Sequence, residues 1–309
     1  MCTSKSIPLC SPKQAKLPTA LALGSFDGLH AGHRRVIEAI TNSNVGVPTV
    51  VTFWPHPREV LYGESRLRID LPSEKLSLLK PLKVEQLVLI NFTKSLSKLS
   101  AEDFVEEILI RTLKAKEISI GANFRFGKGR EGDAYLLEKI ANKANIDVYI
   151  IPILKDIHGR MSSSRIRSAL NDGDLKTAQE LMGRPYRFHG KVCKGRGIGK
   201  SIGWPTANIE VEGRKFLPGI GVYSAWTWIK NNNTKFACVM NLGPQPTVDP
   251  DSPSAVEVHL LGQEIDLRNN ELIIEPVQRL RGQQRFSSLE ELSKQISLDA
   301  SSAEKSLKG

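Results

Sequence analysis

The sequence predicts two domains in series, an α/β domain followed by an antiparallel β-barrel with one terminal helix. The chain has 309 residues, which is enough for two domains of about 100–200 residues each. Up to about residue 150, short apolar runs rich in β-branched residues alternate with helical periodicity. After residue 183, short strand-like runs follow one another with Gly, Pro and Asn between them. The alternation predicts a parallel sheet with crossing helices, and the succession of short strands predicts a barrel.

The first part of the chain contains five strand-like runs separated by helical segments. The apolar runs predict strands over 19–24, 49–54, 86–91, 117–121 and 147–153. Helical periodicity predicts helices over 34–41, 100–113 and 133–144, then two short helices over 164–170 and 175–182. Ser100 is a good N-cap, since Glu102 and Asp103 follow it in the first turn. Strands that alternate with helices in this way are typical of βαβ units.

The second part predicts strands and one convincing helix. The strand-like runs lie at 187–195, 207–211, 221–229, 236–241, 255–261 and 271–277, and the helix covers 289–298. From this change of pattern we expect a flexible tail over 1–20, an α/β domain over 17–183 and a barrel domain over 184–309. We find no internal repeat.

Composition excludes several classes of protein. With 40% hydrophobic and 25% charged residues, the chain has the balance of a soluble globular protein. It has neither the roughly 18 consecutive apolar residues of a membrane helix nor the apolar segment of a secretory signal. The four cysteines form no C-x-x-C pair, so we expect reduced thiols in a cytoplasmic protein. The net charge of +10 leaves a polyanionic partner open.

The string ALGSFDGLHAGHRRVI at 22–37 is the first that indicates chemistry. A strand ends at Gly24, a turn with Phe26 and Asp27 follows, and His30 and His33 lie where a helix begins. Ligands of open parallel sheets bind beyond the carboxyl ends of strands, and helix N-termini attract phosphate. The His-x-Gly-His spacing resembles the signature of the nucleotidyltransferase superfamily. That resemblance implies a Rossmann-like domain in which both histidines stabilise charge on the phosphates.

Three further strings in this part carry basic or aromatic side chains. GRMSSSRIRSAL at 159–170 offers Ser163 and Ser164 between Arg160 and Arg167, which is typical of a phosphate-binding loop. The remaining two strings, at 121–133 and 52–57, carry Asn123, Arg130, Phe126 and His56. A basic Gly-rich turn can cradle phosphate and a Phe can stack on a planar ring, although basic loops are usually only solvated.

Together these strings resemble the N-terminal half of the prokaryotic bifunctional riboflavin kinase/FAD synthetase family. The resemblance covers essentially the whole chain, with Ser25 in place of the usual Asn and Ser164 in place of the usual Thr. It implies that the first domain adenylylates FMN with ATP and Mg²⁺ to give FAD and pyrophosphate, with FMN as the nucleophile. It implies flavin contacts by His56 and Phe126. The ATP and phosphate contacts that it implies are Gly24, Phe26, Asp27, His30, His33, Asn123, Arg130, Arg160, Ser163, Ser164 and Arg167.

The string GRPYRFHGKVCKGRGIGKSIGWPTANIEV at 183–211 is the decisive one in the second part. Its GIGKS run is no Walker A loop, because Lys194 stands where that motif needs Gly and no long helix follows. The string resembles the riboflavin kinase flap and its P-T-A-N motif, here 205–208. Thr206 and Asn208 lie two apart in a strand and offer hard oxygen ligands suited to Mg²⁺.

A phosphoryl transfer to the ribityl hydroxyl also needs a base. Glu257 lies in AVEVHLL, the E-x-H-[LI] context in which the family places its catalytic carboxylate. The resemblance implies the kinase contacts Gly195, Gly199, Lys200, Gly203, Pro205, Thr206, Asn208 and Arg281. This half departs from the family at Lys200, which replaces a common Arg, at 266–272, which lacks a Tyr-Gly pair, and at Gln283, where a Glu is usual. The last two departures lie near the expected flavin end of the barrel, where the resemblance implies that they affect kinase affinity or substrate closure.

We therefore expect riboflavin to become FMN in the barrel and FMN to become FAD in the α/β domain. One alternative is a single-activity FMN adenylyltransferase with a flavin-binding barrel. A class I aminoacyl-tRNA synthetase-like protein also carries His-x-Gly-His, but it would need a Lys-rich K-M-S-K-S loop. A nucleic-acid-binding protein would need basic residues interleaved with exposed aromatics, and only 6% of residues are aromatic. The cations cluster in the phosphate loops and the flap, which favours ATP, FMN and pyrophosphate as the anions they meet.

Overall fold

A computed structural model describes residues 7–64, 67–194, 203–230, 232, 234–243, 254–263 and 265–308. The chain divides into two compact units: Met1–Arg66 with Asp70–Ser162, and Leu67–Ile69 with Ser163–Gly309. The second unit includes residues 163–183, which we had assigned to the α/β domain, so our limit at 183/184 remains a prediction. Among the described residues, no helix is long and apolar enough to cross a membrane.

The first unit is built on a six-stranded parallel sheet. Its strands are β1 (Leu9–Cys10), β2 (Thr19–Leu23), β3 (Val47–Trp54), β4 (Gln86–Asn91), β5 (Ala115–Gly121) and β6 (Asp147–Ile151). Their order is β1-β4-β3-β2-β5-β6, and each neighbouring pair is parallel. A two-stranded antiparallel hairpin follows, made of β7 (Lys155–Asp156) and β8 (Gly159–Arg160). The predicted parallel sheet is confirmed.

Helices connect these strands. They are α1 (Ala31–Glu38), α2 (Pro57–Tyr62), α3 (Pro72–Leu79), α4 (Ala101–Asp103) with a π-helix over Phe104–Thr112, and α5 (Ala134–Asn142). Short 3-10 turns lie at Pro12–Gln14, Lys80–Leu82, Leu96–Lys98 and Lys128–Arg130. Ser100 caps the helix over 101–112 as predicted, since its hydroxyl accepts the Asp103 N–H at 3.0 Å. The wider turns of its second part were not predicted; there the Thr112 hydroxyl donates to the Glu107 carbonyl, five residues back, at 2.6 Å.

The central strand β2 shows why the sheet is covered on both sides. All five of its residues are buried. Leu21 and Leu23 belong to a hydrophobic cluster that also contains residues of the helix over 101–112 and of α5. Ala20 and Ala22 belong to a second cluster, which contains residues of α1. Because side chains alternate along a strand, one continuous apolar run supplies two cores.

The expected flexible tail over 1–20 is wrong for the residues that the structure describes from 7 onward. Ile7 is buried, and Leu9 and Cys10 pair with Leu87 and Val88 as the edge strand of the sheet. This pairing satisfies backbone hydrogen-bonding groups on the otherwise open edge of β4. The strand propensity of the tail residues alone does not predict the pairing.

The second unit begins with two helices, α6 (Ser163–Asp172) and α7 (Leu175–Met182), and continues as a closed antiparallel barrel. The barrel strands are β9 (Phe188–Cys193), β10 (Ala207–Val211), β11 (Gly221–Ile229), β12 (Phe236–Leu242), β13 (Ser254–Leu260) and β14 (Glu271–Arg281). They close in the order β10-β13-β12-β11-β14-β9. The predicted barrel is thus confirmed.

The terminal helix α8 (Leu289–Lys308) is longer than the predicted segment over 289–298. Its later part carries Ala300 and Ala303, which pack with Val222 and Val239 of the barrel. Asp299 is also buried and receives three hydrogen bonds of 2.7–3.1 Å from Arg281. The helix therefore extends because tertiary packing stabilises a Ser-rich stretch of only modest helix propensity.

Residues 67–69 join the second unit although they precede most of the first unit in sequence. Arg68 pairs through its backbone with the segment around Lys215: its N–H donates to the Arg214 carbonyl and its carbonyl accepts the Phe216 N–H, both at 2.7 Å. The fully buried Lys215 ammonium donates to the Ile69 carbonyl at 2.7 Å. This segment is thus a structural part of the barrel unit.

Candidate active sites

The histidine pair lies in the first unit, where the loop after β2 enters α1. His30 is the N-cap of α1, and its Nδ1 accepts the backbone N–H of His33 at 3.3 Å. The two rings stack with centroids 3.7 Å apart and planes 20° from parallel. The predicted helix over 34–41 begins earlier, at Ala31, because the imidazole of His30 takes the capping role that we had not assigned to it.

Burial keeps both imidazoles neutral. His30 is 7% exposed, and burial, followed by the charges of Arg160 and Arg34, lowers its pKa to about 4. Burial is also the main cause that lowers the pKa of His33 well below the ordinary value, with His30, Lys75, Arg160 and Arg34 adding to it. Because Nδ1 of neutral His30 accepts a hydrogen bond, its proton is on Nε2, which can donate to a phosphate oxygen.

His30 should not titrate near neutral pH. We expect an NMR titration of its ring to give a midpoint near pH 4 instead of 6.5. Because the unfolded chain binds this proton at higher pH than the folded chain, stability is complete above about pH 6.5 and falls between about pH 6.5 and pH 4. The loss from His30 alone is about 3 kcal/mol over that window. Chemical unfolding of the first unit at pH 7 and at pH 4 measures it.

The comparison variant for this titration is His30→Gln, which has no titrating ring and should lose less stability on acidification. His158→Gln, at an exposed imidazole in the β7–β8 turn, should behave like the unmodified chain. A His30 midpoint near 6.5 would contradict the burial argument.

The loop that leads into the histidine pair is held from inside. Phe26 is 1% exposed in a left-handed conformation (φ 46°), and its ring meets His33 edge-on at 5.4 Å between centroids. A Cβ on Gly24 would come within 3.1 Å of the Phe26 ring. Asp27 is 2% exposed, and its carboxylate accepts the Asp70 N–H at 3.2 Å. In the structure Gly24, Phe26 and Asp27 therefore shape the loop.

Lys75 is a residue of this region that sequence reasoning missed. Lys75 lies on α3 and is 4% exposed. Its ammonium group donates to the Ser25 carbonyl at 2.9 Å. A buried lysine is rare unless its charge is compensated. Its position in the string PSEKLSLL looks like an ordinary solvated helix face, so the sequence held no signal for it.

The other predicted residues of the first unit lie in different surroundings. Asn123, Arg130 and Arg160 are exposed. Phe126 belongs to the core, where it is 6% exposed and contacts the rings of Phe104 and Phe124 at centroid distances of 5.7 and 5.8 Å. A buried ring has little surface left for stacking, so the predicted flavin contact of Phe126 has no support from its exposure. His56 is half-buried and caps α2, because its Nδ1 accepts the Arg58 N–H at 3.1 Å.

Three residues of the predicted phosphate loop belong to the second unit. Ser163 is half-buried and begins α6, and Ser164 follows it in the first turn with its side chain exposed. Arg167 is half-buried, with its guanidinium 5.9 Å from the centroid of the Phe216 ring. The two serines thus lie at a helix N-terminus, where backbone N–H groups point outward.

Three barrel strands bring polar side chains around Glu257. Asn208 on β10 and Asn241 on β12 are both directly opposite Glu257 of β13 in the strand registers. Opposed residues project from the same face of a sheet, so the three side chains form one row. Their neighbours Ile209, Val256 and Val258 are buried and project to the other face. The predicted pair Asn208 and Glu257 is therefore adjacent, and Asn241 is an addition that the sequence did not indicate.

The segment before β10 carries Pro205 and Thr206, both exposed. The Pro205 carbonyl accepts a hydrogen bond from Nδ1 of His259 at 2.8 Å. The indole of Trp204 meets the His259 ring edge-on at 5.1 Å and donates to the Ser293 hydroxyl at 3.2 Å. This segment is thus attached to β13 and to α8 immediately before Thr206.

The remaining kinase predictions divide into three cases. Gly203 is exposed with φ 82° and has no neighbouring atoms within 4 Å of an added Cβ. The guanidinium of Arg281 is engaged by Asp299 at 2.7 Å, an interaction that ties the barrel to α8. Gly195, Gly199 and Lys200 lie outside the described residues.

Two family models match successive parts of the chain. The family model for FAD synthetase matches residues 12–165, and the family model for riboflavin kinase matches residues 182–307. A bifunctional riboflavin kinase/FMN adenylyltransferase of Escherichia coli (strain K12) is 33% identical over 284 residues, which cover 90% of each chain. The protein with this description from Buchnera aphidicola subsp. Acyrthosiphon pisum is 34% identical over 93% of each chain.

A solved structure from Streptococcus pneumoniae, described as a macrolide-efflux protein, also resembles this chain. It has a TM-score of 0.83 and 27% sequence identity, and the match covers 97% of this chain and 99% of that one. The two folds are therefore alike over nearly their full length.

Proposed function

This chain belongs to the bifunctional riboflavin kinase/FMN adenylyltransferase family, and from that membership we propose which of its residues carry each reaction. The expected pair of activities, riboflavin to FMN and FMN to FAD, agrees with the two family models and their order. The observation that carries the residue assignment is that each matched part holds fitting chemistry. The first has a stacked, neutral histidine pair, and the second has Asn208 directly opposite Glu257.

In the adenylyltransferase reaction, a phosphate oxygen of FMN attacks the α-phosphorus of ATP and pyrophosphate leaves. His30 contributes its Nε2–H as a donor to the phosphates, and the helix N-terminus that it caps favours anions. His33 is held against His30 and supplies a second imidazole. Because both rings are neutral at pH 7, the positive charge comes from Arg160 and Arg34, whose charges already act on these rings.

The other contacts of this reaction stay part of the proposal. Gly24, Phe26 and Asp27 set the shape of the loop in front of the histidines. The exposed side chains of Asn123 and Arg130 are free to approach a nucleotide from solvent, and His56 remains a flavin contact. Phe126 acts through the packing of its loop in the core. Ser163, Ser164 and Arg167 keep their proposed phosphate-binding role.

In the kinase reaction, the terminal ribityl hydroxyl of riboflavin attacks the γ-phosphorus of ATP, and ADP leaves. Glu257 accepts the hydroxyl proton, which makes the oxygen a better nucleophile. It is half-buried in a row with Asn208 and Asn241, so its carboxylate is both accessible and laterally supported. Gly195, Gly199, Lys200, Gly203, Pro205 and Arg281 stay proposed contacts of ATP or flavin in this reaction.

Mg²⁺ fits the donors of the barrel site. Thr206 and Asn208 would hold it through a hydroxyl and an amide oxygen, and it would neutralise charge on the ATP phosphates. No group of three His, Cys, Asp or Glu residues that could hold a metal occurs among the described residues. ATP as co-substrate and a cytoplasmic location complete the proposal.

A flavin conversion assay tests the bifunctional assignment. Purified protein is given riboflavin, ATP and Mg²⁺, and the flavins are resolved by chromatography over time. We expect FMN first and FAD after it. FMN without FAD would leave only the kinase, and FAD from supplied FMN without any use of riboflavin would leave only the adenylyltransferase. Unchanged riboflavin and unchanged FMN would contradict both assignments.

A further inference from the structure

Two contacts fix the segment that leads into Thr206. The ring of His259 on β13 is bound to the Pro205 carbonyl through Nδ1 at 2.8 Å. The indole of Trp204 meets the same ring edge-on at 5.1 Å between centroids, and it donates to the Ser293 hydroxyl of α8 at 3.2 Å. The two residues immediately before Thr206 are therefore held by β13 and α8, one through its backbone and the other through its side chain.

The strand register places His259 next to the row of polar side chains around Glu257. Nδ2 of Asn241 donates to Oε2 of Glu257 at 3.3 Å, and Asn208 is opposite Glu257 on the other side. His259 lies two residues beyond Glu257 and projects from the same face of β13. Because β10 and β13 are antiparallel, this end of the row is the one at which the chain enters β10 from Thr206.

The Pro205 carbonyl determines which nitrogen of His259 carries a proton. A backbone carbonyl oxygen can only accept, so Nδ1 is the donor. This carbonyl belongs to the peptide group that also contains the Thr206 nitrogen, and a peptide group is planar. The hydrogen bond therefore restricts the backbone of Thr206 as well as that of Pro205.

We propose that His259 is a positioning residue of the kinase reaction, which holds the peptide between Pro205 and Thr206 so that the Thr206 hydroxyl is placed at the nucleotide phosphates. This inference rests on the proposed role of Thr206 and Asn208 in holding Mg²⁺ with ATP. Asn208 is placed by its pairing with strands on both sides, at Glu257 and at Cys193. Thr206, in contrast, precedes the first residue of β10. Of the two proposed ligands, Thr206 is thus the one whose position depends on a side-chain contact.

Two replacements of His259 separate the hydrogen bond from the bulk of the side chain. Asn carries an amide nitrogen on Cγ, the atom to which Nδ1 of His is attached, so it can still donate to the Pro205 carbonyl. Leu is also branched at Cγ but has no donor. If the hydrogen bond is what positions Thr206, His259→Asn should keep what His259→Leu loses.

Steady-state kinetics of riboflavin phosphorylation at saturating Mg²⁺ test the proposal. We expect His259→Leu to raise KM for ATP about three- to tenfold, which is the range for the loss of one typical hydrogen bond. KM for riboflavin should change less than about twofold, and His259→Asn should keep KM for ATP within about twofold of the unmodified chain. With Thr206→Ala already present, His259→Leu should cost less than about twofold, because its effect requires the Thr206 hydroxyl.

NMR of the protein without nucleotide gives a readout that is independent of activity. The ring spectrum of His259 should show a proton on Nδ1. The methyl resonance of Thr206 should shift in His259→Leu and lie close to its original position in His259→Asn. Thermal unfolding, together with FAD formation from FMN, reports that each variant is folded.

The proposal is overturned if His259→Leu changes KM for ATP less than about twofold, or if His259→Asn is impaired as much as His259→Leu. An effect of His259→Leu that is as large with Thr206→Ala as without it overturns it too, and so does an unprotonated Nδ1. If Thr206→Ala alone leaves riboflavin phosphorylation unchanged, the proposed role of Thr206 is itself wrong, which is a different result and removes the basis of the inference.

Discussion

Replacing Glu257 by Gln is expected to lower FMN formation about 100- to 10,000-fold and to leave FAD formation from supplied FMN unchanged. The substitution keeps size and the possibility of hydrogen bonding with Asn241, but it removes the proton acceptor. General-base catalysis contributes roughly 100- to 10,000-fold, so kcat for riboflavin phosphorylation should fall by that order. Since Glu257 lies on β13 of the barrel unit and the histidine pair on α1 of the other unit, the second activity supplies an internal control.

Glu210→Gln is the matched variant for this experiment. Glu210 is an exposed carboxylate on β10, two residues from Asn208, and its replacement should leave both reactions unchanged. Asn208→Ala should reproduce the loss of FMN formation, because it removes a proposed Mg²⁺ ligand opposite Glu257. If Glu257→Gln removed both activities from a folded protein, the assignment of two separate sites would fail. Both reactions are followed in parallel by chromatography of the flavins.

Replacement of the histidines should produce the opposite pattern. We expect His30→Asn and His33→Gln to lower FAD formation from FMN about 100- to 1000-fold, the typical cost of removing one donor that stabilises a transition state. Riboflavin phosphorylation should continue at its normal rate. Asn at position 30 keeps a side-chain acceptor for the His33 N–H, so the cap of α1 is preserved while the imidazole is lost.

His30→Ala separates capping from catalysis in this series. It removes the ring and the cap together and should cost about 1 kcal/mol of stability in addition to the activity. His158→Asn at the exposed turn serves as the control and should change neither reaction. Thermal unfolding and single-turnover FAD formation measure the two effects. Normal FAD formation by His30→Asn would show that the ring serves only as a helix cap.

The motifs were predictable from sequence because they are local. The histidines follow directly from a strand, a Gly-containing turn and a helix start, and Thr206 and Asn208 follow from one short string. The fold class was predictable for a similar reason, since hydrophobic alternation within short windows separates the βαβ part from the barrel.

Features that depend on tertiary contacts could not be predicted. The burial that keeps His30 and His33 neutral arises from their surroundings in the folded unit, and Lys75 reaches Ser25 across 50 residues of sequence. Asn241 lies opposite Glu257 only through strand register, which a single sequence does not specify. Gln283 was visible as a departure from the family, but its hydrogen bond to Asn241 spans 42 residues. Packing on the barrel likewise extended α8 beyond the predicted end.

The segment 67–69 limits how the gene for this protein could be divided into two. The polypeptide passes between the two units after Arg66, after Ile69 and again after Ser162. A gene divided between the two family-model ranges would therefore encode a kinase half without the Ile69 carbonyl that accepts from Lys215, and without the backbone pairing of Arg68. The buried ammonium of Lys215 would retain the Arg187 carbonyl at 3.0 Å but lose a partner. Fission of the two activities into separate genes would first require a substitute for three residues encoded far upstream.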